Sequence, residues 1–145
     1  METEDHKEEL QALMLKAEQY KRQMESINRQ MQMMEATMEE LRGSLAALSA
    51  LEENREGTGI FVPIGSDSFI RAKLADTGKV VVGVGASLSV EKTVPEARKY
   101  YEERMAQASE ALEKMRKAAN ETADAIRDLD DEYRHVVSHI QQEKR

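Results

Sequence analysis

The chain is 145 residues long, carries a net charge of −7, and contains no Cys and no Trp. Two Phe and four Tyr supply too little ring area for the usual compact core, and the missing Cys removes disulfides and thiolate chemistry. The acidic balance argues against nucleic acid as a partner, because phosphate contacts need clustered Lys and Arg, and no apolar run is long enough to span a membrane.

Residues 1–56 hold 13 acids, 7 bases, one Gly and no Pro, the composition of a long helix. Apolar side chains recur alternately three and four residues apart, at Leu10, Leu13, Ala17, Tyr20, Met24, Ile27, Met31, Met34, Met38, Leu41, Leu45 and Leu48. A period sustained over this many turns predicts a narrow seam and a left-handed supercoil. Gly43 falls on the outward face, and Gly57 and Gly59 are expected to close the helix. The opening METEDHKEEL is acidic where a secretory signal is basic and then apolar, so a cytoplasmic location is expected.

Residues 57–93 contain six of the seven Gly, and their apolar residues alternate with period two. Ile60, Val62 and Ile64 would share one face, as would Ile70, Ala72 and Leu74, then Val80, Val82 and Val84, then Leu88 and Val90. Gly65-Ser66-Asp67 and Asp76-Thr77-Gly78-Lys79 are turn material, which predicts two β-hairpins, four short strands in all. Gly83-Val84-Gly85-Ala86-Ser87-Leu88 lacks the third Gly and the following helix of a phosphate loop, and reads as strand.

Residues 94–145 return to the first composition, with 12 acids, 10 bases and no Gly. Thr93-Val94-Pro95-Glu96 has the pattern of a capping box with Pro in the first turn. Tyr101, Met105, Ala108, Leu112, Met115, Ala119, Thr122, Ile126, Leu129, Tyr133, Val136 and Ile140 then repeat the heptad spacing, with Thr122 the one polar member. The expected fold is α+β: a single domain over 1–145 in which a long antiparallel two-helix coiled coil (1–56 and 94–145) is interrupted by the hairpin region 57–93. Two alignments suit the helix ends, one in which paired seam numbers sum to 153 and one in which they sum to 146. The first is favoured and sets Leu13 on Ile140, Ala17 on Val136, Tyr20 on Tyr133 and Leu10 opposite Glu143, with Lys21 beside Asp130 and Glu35 beside Arg116.

That alignment gathers Leu10, Leu13, Met14, Val136, Val137 and Ile140 at one end of the coil, with Leu15 nearby on the outer face. These residues are the candidate binding site for apolar segments of other proteins. At the other end, four short strands cannot bury an apolar face alone and leave open edges. Ile60, Val62, Ile64, Ile70, Leu74, Val80, Val82, Val84, Leu88 and Val90 are therefore the candidate oligomer interface, completing a common sheet or barrel between subunits.

No catalytic set, cofactor motif or metal site stands in the sequence. His135 and His139 are four apart, but no third ligand completes them. Asp128, Asp130, Asp131 and Glu132 are a solvated helix face, and the Met-rich stretch from Met24 to Met38 is mostly seam, with Met33 outward. Two non-enzymatic functions fit: a chaperone that holds non-native polypeptides without ATP, and a structural or tethering coiled coil that docks one defined partner.

The strand residues Phe61-Val62-Pro63-Ile64 and Ser68-Phe69-Ile70, the run Lys79-Val80-Val81-Val82-Gly83-Val84-Gly85, and Val90-Glu91-Lys92-Thr93 at the entry to the second helix stand in that order between two heptad helices. In this the chain resembles the prefoldin alpha subunit, particularly its archaeal form, although Ser87-Leu88-Ser89 stands where relatives often carry aromatics. The resemblance implies a cytoplasmic hexamer of two alpha and four beta subunits whose hairpins form a double β-barrel. It also implies coiled coils whose tips hold unfolded proteins without nucleotide and pass them to a group II chaperonin.

Overall fold

The computed structural model describes Met1–Arg145. In chain order its elements are α1 (Glu2–Glu53), β1 (Gly59–Gly65), β2 (Ser68–Lys73), β3 (Lys79–Gly85), β4 (Leu88–Thr93) and α2 (Val94–Glu143). The backbone gathers into two compact units, one made of Met1–Glu35 with Glu110–Arg145 and the other of Ala36–Ser109.

In the first unit the two helix segments run antiparallel, the start of α1 lying beside the end of α2. Leu13, Leu112 and Val136 are buried, as is Thr122. The Thr122 hydroxyl donates to the Ala118 carbonyl at 2.8 Å, so this polar seam residue is satisfied within its own helix. His6 Nε2 lies 3.6 Å from Glu143 Oε1. The favoured alignment places Leu10 opposite Glu143, whereas Leu13 and Ala17 share a groove with Leu129 and Tyr133, the grouping that the other alignment gives. The Lys21–Asp130 and Glu35–Arg116 pairs do not form. Asp130 instead meets Arg134 on its own helix at 3.1 Å, a partner that needs less side-chain ordering than one across the seam.

In the second unit α1 ends where the Asn54 side-chain amide donates to the Ala50 carbonyl at 2.6 Å, and Gly57, at φ +84°, turns the chain. The Gly57 N–H then donates to the Leu74 carbonyl at 2.7 Å, and the Leu74 N–H to Thr58 at 2.9 Å, tying the helix exit to the strand region. β1 pairs antiparallel with β2, and β3 with β4, as two separate sheets. Each hairpin turns through two residues of positive φ, Ser66-Asp67 and Ala86-Ser87, the primed geometry that suits strand twist. A register shift before each turn leaves Ile64 and Val84 as the extra residue of a bulge. The second turn therefore lies within Gly83–Leu88, which the sequence reads as strand. Asp76–Lys79 joins the hairpins instead, with the Gly78 N–H donating to Asp76 Oδ1 at 2.7 Å.

The capping box is present: the Thr93 N–H donates to Glu96 Oε2 and the Glu96 N–H to Thr93 Oγ1, both at 3.3 Å. It starts α2 so that Val94 and Ala97 face inward beside Leu48 and Val82, with Leu51, Val80, Tyr100 and Tyr101 packed around them. Arg98 ties the two helices here, reaching Glu52 and Ser49 at 3.2 Å each. Burying a side chain of Val82's size contributes about 1.5–3 kcal/mol, so this small cluster fixes the second hairpin to the helices.

Candidate functional site

The alternation of β1 and β2 creates two apolar faces. Ile60 pairs with Ala72 and Val62 with Ile70 on one side; Phe61 pairs with Arg71 and Pro63 with Phe69 on the other. Neither face is covered: Ile60, Val62, Ile64 and Ile70 are exposed, Phe61 is 67 % exposed, and Phe69 is open beside it. The two rings meet edge to face at 6.2 Å, and the Arg71 guanidinium lies 5.9 Å from the Phe61 centroid. Leu74 is half-buried at the end of the strand pair. Phe61 and Phe69 lie on the face opposite the expected interface residues. Their even spacing with Pro63 and Arg71 was the available signal.

The second hairpin differs. Val82 is 1 % exposed and Val80 half-buried, because this face lies on α1 and α2 of the same chain. Val82 thus serves the protomer's own core, and Val80 packs at its edge. Leu88, Val84 and Val90 remain open, and Val81, on the reverse face, is 72 % exposed.

The apolar group at the end of the first unit also divides. Leu13 and Val136 are buried, at inward seam positions that a supercoiled pair closes. Leu10, Val137 and Ile140 are half-buried. Met14, at 57 %, and Leu15, at 65 %, are left largely in water. Beside them runs a groove of about 530 Å³, whose walls include Met14, Ala17 and Lys21 from α1 and Ile126, Leu129 and Tyr133 from α2. Ala17 lines it with a single methyl group, at a seam position where α1 otherwise carries Leu, Met, Ile or Tyr. A small seam residue was legible as packing, but not as an opening.

These surfaces are built from aliphatic and aromatic atoms rather than from converging acids, bases or nucleophiles. No group of three His, Cys, Asp or Glu is placed to hold a metal ion, and the His135 and His139 rings simply meet edge to face at 4.8 Å. No helix is long and apolar enough to cross a membrane. What the surfaces can do is bury apolar chain segments.

Two long helices with a pair of β-hairpins between them, and apolar side chains left open on both, define a class of hairpin-bearing helical subunits. The prefoldin subunit family model matches residues 20–139, and the chain belongs to the prefoldin family of chaperones. Similar proteins include the prefoldin alpha subunits of Methanothrix thermoacetophila, 35 % identical over 103 residues (71 % of this chain, 67 % of the relative), and Methanoculleus marisnigri, 33 % over 106 residues (73 % and 70 %). That of Methanoregula boonei is 32 % identical over 122 residues, 79 % of each chain. Among solved structures, the filamentous prefoldin of Methanocaldococcus jannaschii matches with a TM-score of 0.69 and 33 % identity, over 79 % of this chain and 95 % of that one.

Proposed function

We propose that this chain is the alpha-type subunit of an ATP-independent holdase, acting as one prefoldin-like domain over residues 1–145 in the cytoplasm. It assembles with beta-type subunits as a hexamer of two alpha and four beta chains, through hairpin faces that would otherwise stay in water. Apolar surface near the start of α1 and the end of α2 captures non-native polypeptides, which then pass to a group II chaperonin. Binding and release suffice for this work; it requires no catalysis, no cofactor, no nucleic acid and no membrane.

The observation that carries the reading is the exposure of Met14 and Leu15, beside half-buried Leu10, Val137 and Ile140, in a member of a chaperone family. One such surface gives weak binding at about 25 cal/mol per Å² of apolar area. Several surfaces joined by one assembly multiply that through effective concentration while each contact still releases quickly.

The test is light scattering by an unrelated, chemically denatured protein diluted into buffer with the assembled complex. Wild type should suppress aggregation, and Met14→Ser with Leu15→Ser should weaken client binding by at least tenfold, since even partial burial of two such side chains on binding is worth more than about 1.4 kcal/mol. A wild-type complex that leaves aggregation unchanged while binding a single native protein would instead support a tether.

A further inference from the structure

We infer that the groove beside Ala17 receives apolar client segments that carry a carboxylate, so that clients are chosen by charge as well as by hydrophobicity. This rests on the holdase reading above and adds a selectivity to it. The groove floor is apolar, with Ala17, Ile126 and Leu129 lining a space of about 530 Å³, a volume that takes one or two large side chains. Tyr133 stands at its wall with a partly exposed ring, a surface on which a Leu or Phe can lie flat.

The charges at the rim give the sign. Asp130 is engaged by Arg134 at 3.1 Å, so its carboxylate is already compensated. Arg127 is held by Asp124 at 3.5 Å, with both groups well exposed. Lys21 lies on the α1 wall of the groove and has no ion-pair partner. The uncompensated charge at this opening is therefore positive, on a chain whose net charge is −7. A segment combining Leu or Phe with a nearby Asp or Glu satisfies both floor and rim, and one flanked by Lys meets Lys21 with like charge.

Fluorescence anisotropy of the assembled complex with two labelled peptides tests this: one a Leu- and Phe-containing segment flanked by Glu, the other the same segment flanked by Lys. The Glu peptide should bind about two- to fivefold tighter at low salt, the range of an exposed ion pair, and the gap should close at high salt. Lys21→Glu should invert the preference with helix content unchanged, and Ala17→Leu, which fills the groove, should weaken both peptides. Equal affinities for the two peptides, or an Ala17→Leu variant that binds like wild type, would overturn the inference. Aggregation suppression measured on the same samples reports separately on the holdase reading: suppression without a charge preference removes only the selectivity.

Discussion

Gly43 occupies the interior of α1, and a Cβ built there meets nothing within 4 Å. Its cost is therefore the conformational entropy of an unsubstituted helix position, and Gly43→Ala should stabilise the chain by about 0.5–1 kcal/mol in thermal or urea unfolding. Val82 is the opposite case. Its side chain is the most buried large one in the molecule and touches the cluster of Leu48, Val94 and Ala97, so Val82→Ala should cost about 1–3 kcal/mol in the isolated chain, before any assembly. That Val82 is a core-type residue was legible from its alternation with Val80 and Val84. Which body covers it was not, since period two separates a strand's faces without saying whether the same chain or another lies over each. The same limit explains Leu13 and Val136: their heptad positions predicted apolar contact, and the contact is the seam itself rather than open surface.

At the scale of elements, the helices were legible almost completely. The three-four spacing runs unbroken through both, and Thr93 with Glu96 marks the start of α2 where the reciprocal hydrogen bonds are found. Thr93→Ala removes the hydroxyl acceptor of that cap and should cost about 0.5–2 kcal/mol, read as a lower unfolding midpoint with loss of helix at the hairpin junction. The strands were legible in number but not in their joints. Type I′ hairpin turns are normally announced by Asn-Gly or Asp-Gly, and here Ser66-Asp67 and Ala86-Ser87 adopt the positive φ values instead. Only Gly65 and Gly85, at the bulges before the turns, carried the usual mark, and Gly85 was absorbed into an apparently continuous strand. Cross-seam ion pairs were the least legible feature, because exposed partners gain so little that a nearer residue on the same helix, such as Arg134 for Asp130, displaces them.

For the whole molecule, the two hairpins are not equivalent. The second has its Val80–Val82 face on the chain's own helices, and the first has no cover on either side. Association should therefore depend more on the first. Phe61→Ser with Phe69→Ser should abolish the complex with beta-type subunits in native mass spectrometry, while circular dichroism of the single chain keeps its helix content. An intact two-to-four complex in that variant would transfer the interface to the second hairpin or to the opposite face of the first.

The uncovered first hairpin also bears on how the protein must be supplied to a cell. A copy made in excess of its neighbours keeps oily side chains and unbonded strand edges in water, the combination that drives proteins to clump. Such a surplus copy would itself need a guardian or a protease. Balanced production of the subunits that shield residues 59–73 is the expected way to keep such a surplus from arising.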